Sequence, residues 1–339
     1  MATSPKLPMA SGSTQGAYHV FHADAFILKG KIEEPIQQEI EPIGLVKLEH
    51  TRRNSLFTQS VGETNIEGVI YFRRGHTRVA GTHVQQKTDI FGNNHAGWVT
   101  LSSAVIEGYN VIDIITADRV VAQMTSEHAM TNDPNHPIEH VPRVNFLGSG
   151  FSNLRIGGFP VETELDLNIC GPKPKDDRTY LLDLGFLDRV QRQLDSAAGR
   201  KDLPGSLGEQ YSKEIVCIDD LRKRAKEGWN PAADSGANGY PKVRFSLVKT
   251  IRLPKEIPGV QAFGNQIFIQ DYGSVALGEV EVGIHGQQST FGRRKDDPPQ
   301  SPAKPSTYFK LLMIETRMGC AYKNGGGGAG TTVNGSTFP

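Results

Sequence analysis

From Tyr18 to Cys170, apolar residues recur at every second position or in short runs closed by Gly, Asn or Pro, and this period of two predicts strands joined by turns. Residues 161–169 carry the plainest pattern. Val161, Thr163, Leu165, Leu167 and Ile169 fall on one side of an extended chain, with Glu162, Glu164, Asp166 and Asn168 on the other. A helix would scatter both sets. Further strands are expected over residues 25–31, 68–74, 98–105, 110–115, 119–125 and 143–147, most of them β-branched or aromatic, as a pleated half-buried surface prefers. Residues 104–112 and 150–161 read as distant copies of one strand-turn-strand unit. Two copies do not make a solenoid, so related hairpins in a sandwich or barrel are expected.

The pattern changes at Gly171. Pro172, Pro174, Asp176 and Asp177 break the last strand, and residues 180–198 then place Leu181, Leu184, Phe186, Leu187, Val190 and Leu194 at helical spacing, with Gly185 as a weak point. A second helix is expected over residues 212–228. Glu214, Asp219 and Asp220 would lie toward its start and Arg222, Lys223, Arg224 and Lys226 toward its end, which suits the helix dipole, and Gly228 would stop it. Strand character returns at residues 243–248, 267–269, 275–284 and 308–317. In the third of these, Val280, Val282 and Ile284 alternate with Glu279, Glu281 and Gly283. Between the last two lies a charged, Pro-rich exposed loop.

These elements predict a mainly β fold, an antiparallel β-sandwich or barrel-like core with a helical insertion. Its parts are a flexible arm over residues 1–16, a first portion of β core over 17–170, the helical insertion over 171–240, a second portion of core over 241–322, and a flexible Gly-rich tail over 323–339.

Composition narrows the function classes. The 339 residues include 37 Lys plus Arg against 37 Asp plus Glu, so the net charge of +0 supplies no field to draw in nucleic acid or an anionic membrane. The basic runs Arg52-Arg53, Arg73-Arg74 and Arg293-Arg294-Lys295 are expected in solvated loops. The 37 glycines have no triplet period, which excludes collagen. Cys170, Cys217 and Cys320 are too far apart for a disulfide framework or a CxxC metal knuckle. The first thirty residues show no basic start leading into an apolar run, and no stretch is long and apolar enough to span a membrane, so a cytoplasmic location is expected, with extracellular export by another route as the alternative.

Candidate chemistry centres on Glu127, His128, Asp133, His136, Glu139 and His140. Imidazole and carboxylate at close spacing can ligate a divalent metal, and His128, His136 and His140 are the candidate ligands. Pro137 between the last two works against a regular helix that would place them on one face. No other cofactor is expected. Paired carboxylates could act on a glycoside, and Glu107, Asp113, Asp118, Glu162, Glu164 and Asp166 lie near strand ends or on one strand face. The wet side of an antiparallel sheet explains the last three as well. GxSxG, P-loop and HExxH motifs are missing from the sequence. Gly325, Gly327 and Gly330 match GxGxxG in spacing but do not open a helix.

Residues 102–128, SSAVIEGYNVIDIITADRVVAQMTSEH, and 147–167, LGSGFSNLRIGGFPVETELDL, resemble an uncharacterised group of bacterial β-rich proteins. More remotely they are similar to the choice-of-anchor P family. The resemblance implies a β-rich fold and, for the remote family, surface display; it supplies no catalytic residues. The resulting expectation is a non-enzymatic structural or interaction protein, a homo-oligomer or partner of another protein, that self-associates through β edges and flexible termini. The alternative is a carbohydrate-active or carbohydrate-binding protein that uses surface carboxylates, with or without a bound metal.

Overall fold

The alternating segments do become strands. The computed structural model describes residues 21–32, 38–51, 54–88, 94–130, 141–175, 179–231, 240–254, 257–285, 306–318 and 322–332. The chain opens with β1 (Phe21–Ile32), β2 (Gln38–Ile43) and β3 (Val46–Thr51). There follow β4 (Ser55–Val61), β5 (Thr64–Ile66), β6 (Ile70–Phe72) and the long strands β7 (Arg74–Thr88), β8 (Asn94–Val111) and β9 (Ile115–Ala129). Short strands come next: β10 (Arg143–Asn145), β11 (Gly150–Ser152), β12 (Arg155–Ile156), β13 (Phe159–Pro160) and β14 (Glu162–Leu165). Helices α1 (Leu184–Ala198) and α2 (Gly205–Lys226) separate these from β15 (Lys242–Ser246), β16 (Val248–Arg252), β17 (Val260–Phe263), β18 (Gln266–Ile269), β19 (Gly273–His285), β20 (Ser306–Met318) and β21 (Tyr322–Thr332).

Two antiparallel sheets face each other. The first runs β17-β18-β19-β20-β21-β1-β2, with β15 also on β19 and β3 also on β1; the second runs β13-β12-β9-β8-β6-β5, with β7 on β8 and β4 on β7. Strands β1 and β21 lie against β8, giving a sandwich with open edges rather than a closed barrel. The sheets meet closely because glycines on β7 leave room for large side chains of β1. A Cβ on Gly75 would stand 2.4 Å from Ile27 Cδ1, and one on Gly81 would stand 2.5 Å from the Phe21 ring, so each glycine is a socket for a fully buried residue of the opposite sheet.

The hairpin similarity extends to a third copy. Left-handed pairs occur at Glu67 and Gly68, Ile112 and Asp113, and Gly157 and Gly158, a spacing of 45 residues each time (67, 112, 157). Both residues of each pair have positive φ, the backbone that tight hairpin turns favour, with three residues between paired strand ends at 67–69 and 112–114 and two at 157–158. Asn65 Oδ1 accepts from the Gly68 N–H at 2.9 Å, and Asn110 Oδ1 accepts from the Asp113 N–H at 2.8 Å, the same contact one repeat later. The three hairpins, β5-β6, β8-β9 and β12-β13, stand side by side in the second sheet. Their register lines up Ile66, Ile70, Val111, Ile115 and Ile156 as one buried row of β-branched side chains.

Several expectations are corrected. Residues 110–115 are not one strand, because Ile112–Ile114 make the turn between β8 and β9. The alternating segment 161–169 yields only the four residues of β14, paired with β16, before Asp166 turns the chain by accepting from the Asn168 N–H. Helix α2 starts at Gly205 rather than near 212, so Glu214, Asp219 and Asp220 lie within it and not in its first turn. Gly185 falls in the first turn of α1, where Asp183 caps the Phe186 N–H, so it does not weaken the helix interior. The largest correction is the Gly-rich tail. Residues 322–332 form β21, hydrogen-bonded to β20 on one side and β1 on the other, in the middle of the first sheet. The arm over residues 1–16 lies outside the described residues, as does most of the charged, Pro-rich loop between β19 and β20.

Candidate functional site

The outward face of the first sheet carries a groove of about 620 Å³. Its position follows from strand register. Val280 and Val282 of β19 point into the core, so Glu279 and Glu281 point away from it. Across the sheet, Arg244 (β15), Glu281 (β19), Lys310 (β20), Gly330 (β21) and Asp24 (β1) stand in one row. The next row is Ser246, Glu279, Leu312, Gly328 and Phe26. Residues directly opposite on paired strands share a face, so β21 contributes glycine where its neighbours contribute side chains. The result is a trough floored by backbone. Glu39, Ile40, Glu41 and Pro42 of β2 form its far wall.

The charges in this trough are paired and half-buried. Glu281 accepts from Arg244 Nε at 3.1 Å and from the Tyr308 hydroxyl at 2.9 Å, and Lys242 Nζ stands 3.2 Å away. Glu315 accepts from Arg317 Nε and Nη2 at 3.1 and 3.0 Å. The side chains of Glu279, Glu281 and Glu315 retain only 13%, 15% and 6% exposure, so the polar face of the alternating strand β19 is largely covered. Helix α2 covers the outer edge of β15, where Glu214 Oε2 accepts the Arg244 N–H at 3.2 Å.

Environment separates these carboxyls. Burial, reinforced by the neighbouring Glu315, pushes the Glu279 carboxyl above its usual range against the opposing pull of Arg244 and Arg317. Glu281 is also desolvated, but the Tyr308 and Arg244 hydrogen bonds and Lys242 outweigh this and hold it below the usual range. Burial raises Glu214 despite Arg244. Two carboxyls two residues apart on one strand are therefore shifted in opposite directions.

The carboxylates singled out by sequence are not brought together. Glu107 is held by Arg74 at 2.6 Å and Arg73 at 3.4 Å, which lowers its carboxyl. Asp113 accepts from Asn110 within its turn, Asp118 accepts from Asn153, and Glu164 pairs with Lys249 at 2.7 Å. Asp118 and Arg119 lie within β9, and Arg119 stands opposite Glu107. His128 is buried on the inward face of β9, directly opposite Trp98. His136 and His140 lie outside the described residues. Among the described residues, no three His, Cys, Asp or Glu side chains converge as metal ligands. Cys170 is buried and its thiol pushed far up by desolvation, so it is a packing residue.

A second exposed feature lies at the edge of the other sheet. β4 pairs with β7 on one side, and among the described residues no strand pairs on its other side. Residues 56–60 are all exposed, with Leu56 at 56% and Phe57 at 48% on opposite faces. Ser55–Val61 contains no charge, proline or glycine.

Among the described residues, no helix is long and apolar enough to cross a membrane. Searches of curated proteins and of solved structures find no match to the chain. A family model described as a domain of unknown function, DUF8256, matches residues 19–283, from ahead of β1 into β19, and the chain belongs to that family.

Proposed function

We propose that the protein is a non-enzymatic interaction module that self-associates through the outer edge of β4. The observation that carries this reading is an edge that no strand among the described residues pairs, combined with exposure of residues 56–60 on both faces. Edge strands are normally blunted by charge, proline, bulges or cover, because their free N–H and C=O groups template pairing. Ser55–Val61 has no residue of the blunting kind. A second copy is the occupant that fits. Antiparallel pairing about a two-fold axis near Phe57 and Thr58 joins two uncharged, identical edges without repulsion, and covers Leu56 and Phe57 of both copies. The termini drop out of the expected mechanism in one respect: the Gly-rich segment already has strands on both sides and has no open edge to offer.

The test is sedimentation velocity of the full chain across a concentration series, for wild type and for Leu56→Lys/Phe57→Lys. Wild type is expected to form a dimer that the double substitution dissociates at unchanged melting temperature. A wild type that stays monomeric, or a dimer that survives the substitution, would overturn the reading.

A further inference from the structure

We infer that the trough floored by β21 is a binding site for an uncharged polyhydroxylated ligand, such as an oligosaccharide. This is separate from the self-association reading, because the trough and β4 lie on different sheets.

Three observations carry it. The first is space. A groove of about 620 Å³ lies within the ordinary range of small-molecule sites, roughly 300–1,000 Å³, and exceeds what an ion or a few waters need. The second is the origin of that space. Gly330 separates Lys310 from Asp24, and Gly328 separates Leu312 from Phe26. Across two strand spacings, about 9.6 Å, there is only backbone, so the groove is built into the register rather than left by a badly filled surface.

The third is the arrangement of charge. The groove interleaves carboxylates with guanidinium and ammonium groups, and Glu281 and Glu315 each face a cation at 3.0 to 3.2 Å. An anionic ligand would have to displace these carboxylates from their cations, and a cationic one would meet Arg244, Lys310 and Arg317 in the same space. The lining holds six carboxyls (Asp24, Glu39, Glu41, Glu279, Glu281 and Glu315) against four cations (Lys29, Arg244, Lys310 and Arg317), so an anion gains no attraction and a cation meets only a small acidic excess, with Glu281 and Glu315 already paired. Hydroxyl groups donate to one neighbour and accept from another, so a row alternating carboxylate oxygens with Lys and Arg N–H groups satisfies a polyol without breaking its own pairs. Leu312 and Ile40 supply apolar surface for its C–H faces.

The experiment is isothermal titration of the full-length protein with neutral oligosaccharides (maltotriose, cellotriose, xylotriose, chitotriose), with a heparin tetrasaccharide and spermine as charged comparisons. Gly328→Val, which puts a branched side chain on the floor, and Glu279→Gln, an isosteric change on the wall, are measured alongside, with melting temperature reporting the fold. Binding of at least one neutral trisaccharide, weakened tenfold or more by each substitution, is the expected result. Binding only of heparin or spermine, no binding of any probe, or neutral binding unchanged by Glu279→Gln would overturn the inference. Since the dimer is read separately by sedimentation, either proposal can fail alone.

Discussion

Arg244 on β15 and Glu281 on β19 face each other across a hydrogen-bonded strand pair, with Nε 3.1 Å from Oε2. Glu281 is only 15% exposed, so this contact contributes to how the sheet responds to acid. Its carboxyl is held below the usual range, and the stability it contributes is present above the unfolded-state value and lost as pH falls through the folded one. Glu279 has the opposite sign. Its raised carboxyl contributes stability at low pH that is lost as pH rises through the folded value. Accordingly, Glu281→Gln is expected to cost about 2 kcal/mol at neutral pH, as for one partner removed from a largely desolvated pair, and to lessen the loss on acidification. Glu279→Gln is expected to be neutral or stabilising there. Urea melts at pH 4, 5 and 7 decide it, and a destabilised Glu279→Gln at neutral pH would sink the assignment.

Gly75 is a socket, not a hinge: its backbone is ordinary, but any Cβ would overlap Ile27 of the opposite sheet. Gly75→Ala is expected to cost about 1–3 kcal/mol by overpacking. Adding Ile27→Val should recover part of that loss, because the overlap is with the Ile27 side chain. Thermal melts of the single and double variants test this coupling, and strictly additive losses would contradict it.

Ile112 sits at φ 43° in the β8-β9 turn, a region a β-branched residue rarely adopts, and its side chain is 41% exposed. Little packing is lost on replacing it. Ile112→Asn or Ile112→Gly is therefore expected to stabilise the protein by about 1 kcal/mol through relief of strain. A lower melting temperature would mean that Ile112 makes contacts outweighing its backbone.

Truncation after Met318 distinguishes a tail from a strand. As a tail, residues 319–339 could be removed without effect. As β21, their loss unpairs β20 and β1 in the middle of the sheet and uncovers the side of β8 that β21 contacts. The truncated chain is expected to be insoluble or unfolded by circular dichroism, whereas a native-like spectrum and melting temperature would exclude the central strand.

The sequence was legible where period carried the signal. β8, β9, β19 and β20 fall on alternating segments, since one face of each is buried, and α1 falls on an apolar stripe. It was illegible where side chains do not report burial. β21 is mostly glycine and has no hydrophobic pattern, and its central place in the sheet depends on β1, at the other end of the described chain, as well as on the preceding strand β20. β4 exposes apolar and polar residues alike, so it lacks a face to recognise. For the groove, Glu279 and Glu281 were correctly placed on the face opposite Val280 and Val282, but the wall made by β2 and the cover by α2 are tertiary facts. One signal was available: Glu315 directly follows the apolar run Leu311-Leu312-Met313-Ile314, and a carboxylate on the end of such a run is buried and paired here.

The measurement that tests the account most directly is hydrogen exchange of the full-length protein, followed by mass spectrometry at low and high protein concentration. If β4 joins a second copy, peptides covering Ser55–Val61 gain protection as concentration rises, while those covering β8 and β9 are protected at both. Exchange over Ser55–Val61 that is independent of concentration would contradict it.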